Sequence, residues 1–161
     1  MAKCEAKENV VVVCIGSEKI AGDSLAPLVG DELRERYAVK NFVYGTTDES
    51  INGRNYDEWL EFILKVHKGA KILAVDAGLG AVASVGKIRL TAGVVPYITL
   101  LVVPKKAVTG GGKAVGDAGI VGIVGEVSDN PLGTLLTVSA DEVQKMAEKI
   151  AFVIFSALYA F

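Results

Sequence analysis

The sequence predicts a three-layer αβα sandwich of the α/β class, built on a mixed, partly parallel sheet. Three observations carry that reading. Apolar runs alternate with amphipathic segments through the first half of the chain. Those runs are too continuous for strands with one wet face, as expected where helices cover both sides of a sheet. In the second half, strand-like segments follow one another before a long closing helix, so the sheet should end mixed. With 161 residues, 51% of them hydrophobic and 22% charged, residues 1–161 are expected to form one domain with one core.

The first run, ENVVVVCIG (8–16), reads as a strand buried on both faces and stopped by glycine. In GDSLAPLVGDELRERY (22–37), Leu25, Leu28, Val29 and Leu33 fall at helical spacing, with Asp31, Glu32, Arg34 and Glu35 opposite. KNFVYG (40–45) is a short strand. NYDEWLEFILKVHKG (55–69) is a helix whose apolar side carries Trp59, Leu60, Ile63, Leu64 and His67, closed by Gly69. AKILAVDAG (70–78) is a second apolar strand, ending in Asp76. VGKIRL (85–90), YITLLVV (97–103) and AGIVGIVGEV (118–127) read as further strands. SADEVQKMAEKIAFVIFSALY (139–159) opens with Ser139 and Glu142 in capping-box spacing and runs on as a helix.

A net charge of −2, with Lys and Arg scattered, gives no footprint for nucleic acid or for an anionic membrane. The apolar tail AFVIFSALYAF spans residues 151–161, whereas a bilayer needs about 20 apolar residues. It is expected to be buried, or to join two copies in a homo-oligomer. Cys4 and Cys14 have neither CxxC nor zinc spacing, and no signal peptide opens the chain. Reduced thiols and a cytoplasmic location are expected.

In such sheets ligands sit beyond the carboxyl ends of the strands. Two places qualify: the turn from Gly16 to Asp23, and Asp76. The turn contains GDSL, but a Ser24 nucleophile needs a histidine base. The only histidine, His67, lies on the helix 55–69 and is expected to be a helix-end residue. The triad reading fails. Gly16 to Gly22 leads into Asp-Ser rather than Lys-Ser, so no phosphate loop is formed. TGGG (109–112) reads as a loop rather than an anion nest, Asp117 as a turn aspartate, and Glu126 and Asp129 as solvated. Asp23 stands where a loop enters a helix, a capping position. A carboxylate at Asp76 costs several kcal/mol, roughly, if left uncompensated in an apolar strand. Two acids at adjacent strand ends could share a proton, hold a metal or activate water. On spacing alone, capping and paired chemistry both stay open.

The blocks CIGSEKIAGDSLAPLVGDEL, VYGTTDESINGRN, ILAVDAGLGAVASVGKI and AVGDAGIVGIVGEV occur in this order over most of residues 10–127. Together they resemble the YyaC-type spore protease family of endospore-forming bacteria. That family is similar to the germination protease, which cleaves small acid-soluble spore proteins. Both resemble the hydrogenase maturation endopeptidases, of phosphorylase/hydrolase-like fold. By motif, Asp23 matches the acid after the first strand, functional in the germination protease and nickel-binding in the hydrogenase peptidases. Asp76, in VDAGLG, matches the second acid. Ser24 then becomes a helix-start residue. The nickel-binding histidine of the hydrogenase peptidases has no counterpart, since His67 precedes Asp76, and the segment 91–117 departs from the family.

The resemblance implies a sporulation-associated peptidase of the cytoplasm, forespore or spore core, with no metal or cofactor. Its substrate would be a peptide or protein, small acid-soluble spore proteins among them. Asp23 and Asp76 would be the catalytic pair, one as base and the other as acid. Gly16, Gly22 and Gly78 would admit a peptide backbone or donate N–H groups to it. Two other readings stand beside this one: a non-enzymatic peptide-binding module, and a hydrolase using Mg²⁺ or Mn²⁺.

Overall fold

The computed structural model describes residues 9–92 and 116–159. Among the described residues a five-stranded sheet lies between helices, in the strand order β2-β1-β3-β5-β4. The strands are β1 (Val10–Cys14), β2 (Val43–Tyr44), β3 (Lys71–Gly80), β4 (Ile88–Ala92) and β5 (Ala118–Glu126). β2, β1, β3 and β5 run parallel, and β4 is antiparallel to β5. Parallel first strands and a mixed far edge are what the sequence predicts.

The apolar runs split by parity between the two faces of the sheet. Val12, Cys14 and Val75 point to one side, where α1 (Leu25–Asp31) and α4 (Ala140–Tyr159) bring Leu25, Val29, Ile150 and Ile154. Val11, Val13, Ile15, Val121 and Ile123 point to the other, where α2 (Tyr56–Val66) brings Tyr56, Leu60 and Ile63. Both faces are dry, which is why the strands show no polar alternation.

Several boundaries differ from the sequence reading. Beyond Asp31 the first helix widens into a π turn, Glu32–Arg36, in which Tyr37 N–H reaches the Glu32 carbonyl at 3.0 Å. β3 does not end at Asp76 but continues to Gly80, and β4 begins later than expected, at Ile88. A short helix, α3 (Pro131–Thr137), follows β5 where no element is expected. Its signal was present: Asn130 accepts from the Gly133 amide as a cap, with Pro131 at the first helical position. YITLLVV, TGGG and Cys4 lie outside the described residues.

Two expectations about helix ends are met. Gly69 closes the α2 segment with φ +83, and the Glu142 amide reaches Ser139 Oγ at 3.4 Å. α4 buries Val143, Ala147, Ile150, Ile154 and Leu158. Phe155 stacks on Tyr37 at 4.7 Å, while Phe152 stays 57% exposed. Among the described residues, no helix is long and apolar enough to cross a membrane.

At one corner the layers touch through backbone. Gly45 sits at φ +88, and a Cβ there would overlap the Cys14 carbonyl. A Cβ on Gly30 would in turn overlap the Gly45 carbonyl. Only glycine fits at either place.

Candidate active site

β1 stops one residue short of the chemistry. Cys14 is level with Val75, and the Ile15 amide donates to the Val75 carbonyl at 2.9 Å. The chain then leaves the sheet at Gly16, whose amide donates to the Ile51 carbonyl at 2.8 Å. The loop doubles back until the Asp23 carbonyl lies against Gly16, leaving no room for a side chain there.

Inside this loop the Ser17 amide donates to Asp23 Oδ2 at 2.6 Å. Its outer side is tied to the segment before α2: Ser50 Oγ donates to Glu18 Oε2 at 2.6 Å. Ser50 is held in turn by Asn55 Nδ2 on its carbonyl at 2.9 Å and by Asn52 Nδ2 on its hydroxyl at 3.1 Å. On the other side, the Gly22 amide donates to the Leu135 carbonyl in α3 at 2.8 Å. Asp23 is therefore presented by a pinned loop rather than by a helix cap.

Asp76 lies within β3, opposite Val121. Ile72 and Ala74 face α2, so the two-residue repeat directs Asp76 to that same face. It is 2% exposed. Since Val75 bonds toward β1, the Ala77 amide, two residues on, turns to the same side, past the last β1 pairing. Asp76 Oδ1 accepts from that amide at 2.7 Å. The acid thus completes the ladder where β1 runs out. The expected strand end is the end of β1, not of β3.

Burial sets the protonation of both acids. Asp23, 9% exposed, has its pKa pushed up to about 6 by desolvation, with the Ser17 amide pulling the other way. Asp76 is held well above the ordinary carboxylate range, first by burial and then by the charge of Asp23, against the Ala77 amide. Asp76 is the more deeply buried of the two. Two like groups thus sit in unlike environments.

The other sequence candidates fall elsewhere. Ser24 Oγ donates to the Ala21 carbonyl at 2.7 Å and caps nothing. His67, at the end of α2, is 2.7 Å from the Tyr44 hydroxyl through Nε2, a helix-end histidine as expected. Asp117, read as a turn aspartate, instead ties the start of β5 to β3: it accepts from the Ile72 amide at 2.9 Å, and its own amide donates to the Ile72 carbonyl at 2.8 Å. Glu126 and Asp129 are exposed. Cys14 is buried, and its thiol pKa is strongly raised by burial, so it is no nucleophile. The glycines need one correction. The amides of Gly16 and Gly22 already donate within the protein, and a Cβ on Gly22 would press on Leu135 and Val138. They shape the loop and offer no donor to a ligand. Gly78 shares the Asp76 face, two residues on, where it adds no side chain beside the acid.

Sequence reasoning did not single out Glu18, Ser50, Asn52 and Asn55. The polar run ESINGRN just before a helix was the available sign. Among the described residues, no group of three or more His, Cys, Asp or Glu side chains could hold a metal.

This sheet order and these layers define an α/β protein with the fold of the hydrogenase maturation proteases. The chain overlays HycI, a [NiFe] hydrogenase maturation protease from Thermococcus kodakarensis KOD1, with a TM-score of 0.58. That match has 17% identity and covers 93% of this chain and 92% of the other. HybD from the same species gives 0.55 at 15% identity, covering 93% and 99%. A peptidyl-tRNA hydrolase from Acinetobacter baumannii gives 0.63 at 11% identity, covering 96% and 88%. At these identities the likeness is one of fold. The chain itself belongs to the DUF1256 family, described as a protein of unknown function, whose model matches residues 1–153. It is 41% identical over 85 residues to the uncharacterized protein YyaC of Bacillus subtilis (strain 168). The match takes in 53% of this chain and 42% of YyaC, so it spans less than half of that relative.

Proposed function

We propose that the protein is a peptidase in which Asp23 is the general base and Asp76 the general acid. The observation that carries this is a pair of buried carboxylates, each raised first by desolvation, with Asp23 near enough for its charge to raise Asp76 further. Ionised Asp23 takes a proton from water, and the water oxygen attacks the carbonyl carbon of the peptide bond. Asp76 gives its proton to the departing amide nitrogen as the C–N bond breaks. Proton exchange with solvent then restores both acids. A positioned acid or base contributes typically about 10²–10⁴-fold to a rate.

The fold shared with maturation proteases supports the same reading. Within it, the substrates are small acid-soluble spore proteins or similar unfolded chains, cleaved in the cytoplasm or forespore during sporulation or germination.

Cleavage of a small acid-rich spore protein, followed by mass spectrometry, tests the proposal. Wild type should cut it, and Asp23→Asn and Asp76→Asn should each abolish cutting while remaining folded. Binding without cleavage by the wild type would replace the peptidase with a peptide-binding module.

A further inference from the structure

The acid pair leaves unused a surface formed by the outer side of α2 and the neighbouring sheet edge. β2, the edge strand, is only two residues long, and its Tyr44 sits at the centre of a ring cluster. Tyr44 lies 5.7 Å from Trp59, 6.1 Å from Phe62 and 6.4 Å from Phe42 between ring centroids. Trp59 meets Phe62 edge-on at 5.9 Å. Such rings usually face a core, yet Phe42 is 60% exposed and Phe62 47% exposed. Contiguous apolar exposure of this kind marks a contact surface.

The same place carries an unneutralised acid. Helical spacing brings Trp59 and Phe62, three apart, and Glu58 and Phe62, four apart, onto one side of α2. These three line a groove of about 360 Å³. Asp57, Glu58 and Glu61 are all exposed in the first turns of the helix. The ion pairs among the described residues include none of them, although Arg54, Lys65 and Lys68 are nearby in sequence. Aromatic faces beside a free carboxylate complement one chemistry above others: a guanidinium or ammonium on an apolar stem.

We propose that this groove is a docking site for an arginine-bearing segment of a partner protein. The guanidinium meets Glu58, and its stem and plane lie on Trp59 and Phe62. Apolar neighbours of the arginine cover Phe42. The site is independent of the peptidase reading, because no step at Asp23 or Asp76 enters its test.

Trp59 is the only tryptophan in the sequence, so its emission reports directly on the groove. The probe is the peptide Ac-Ala-Leu-Arg-Ala-Leu-amide, titrated into the full chain beside the same peptide with citrulline for arginine. Saturable change in Trp59 emission is expected with the arginine peptide. The citrulline peptide should bind about tenfold more weakly, the loss expected for a cation–π contact and its carboxylate partner. Glu58→Gln should narrow the gap between the two peptides by weakening the arginine peptide alone, and Phe62→Ala should weaken both. Both side chains are exposed, so the fold should survive, which circular dichroism checks. No saturable change up to millimolar peptide, or equal affinity of both peptides for wild type, overturns the proposal. Trp59 emission that shifts with protein concentration alone, with a dimer in sedimentation, also overturns it and makes a second copy the occupant.

Discussion

Asp23 and Asp76 come from different elements, yet the charge of the first adds to burial in raising the pKa of the second. Asp23 sits in the loop after β1, and Asp76 lies inside β3 on the next strand over. Each also accepts one backbone amide, from Ser17 and from Ala77, and these bonds moderate the effect of burial without reversing it.

Peptide cleavage should therefore have a bell-shaped pH dependence. The rate should climb as Asp23 ionises, around pH 6, and fall at higher pH where Asp76 loses its proton. These limbs belong to the pair as a coupled system. A profile of kcat/KM with no acidic limb near pH 6 would contradict the role given to Asp23.

Stability should move with pH in a defined direction. Both carboxyls bind protons more tightly in the folded state than in the unfolded one, where an aspartate titrates near 3.8. Between that value and about 6 the folded protein holds more protons, so its stability falls as pH rises through this window. Asp23→Asn should flatten that slope and stabilise the protein at neutral pH by about 3 kcal/mol or less. Urea unfolding from pH 4 to 7.5 measures both.

Ser24→Ala should leave cleavage within a few-fold of wild type. It removes one hydrogen bond to the Ala21 carbonyl, worth about 1 kcal/mol. Complete loss of activity in this variant, with Asp76→Asn still active, would restore the serine as the working group.

Ser50→Ala should act on Asp23 from a distance. Without the Ser50 hydroxyl, Glu18 no longer anchors the loop, and the Ser17 amide is freer to leave Asp23 Oδ2. The Asp23 carboxyl should then titrate higher than in wild type, read as the pH dependence of its ¹³Cγ shift. Ser50→Thr keeps the hydroxyl and should restore the wild-type value. An unchanged titration in Ser50→Ala would limit the network to holding α2 in place.

Two glycine substitutions should differ sharply. Gly30→Ala meets the Gly45 carbonyl with no room, and should cost several kcal/mol, roughly, or prevent folding. Gly69→Ala meets nothing in space and carries only the strain of φ +83, about 1 kcal/mol. Thermal unfolding of the two variants side by side tests the contrast.

The strands and long helices were legible because burial writes itself into period and composition. VVVVC and KILAV could only be strands covered on both faces, and Leu25, Val29 and Leu33 could only be a helix stripe. Asp76 stood out because an acid in such a run needs a reason. Its partner amide was not legible, since it depends on where β1 stops relative to β3. Glu18 and Ser50 stayed hidden for a similar reason: 32 residues separate them, and only the fold joins them. The short helix α3 was missed because a seven-residue segment is too brief to show a period.

The Gly30–Gly45–Cys14 contact changes what the most recognisable words in this sequence mean. PLVG ends in Gly30 and VYG ends in Gly45, so both spell out a place where peptide planes stack without side chains between them. A chain carrying these words announces its architecture at that corner. It says nothing there about catalysis, and a relative could keep both while losing either aspartate. Kinship traced through the glycines and activity traced through the acids are thus separate inheritances, to be looked for separately in any related chain.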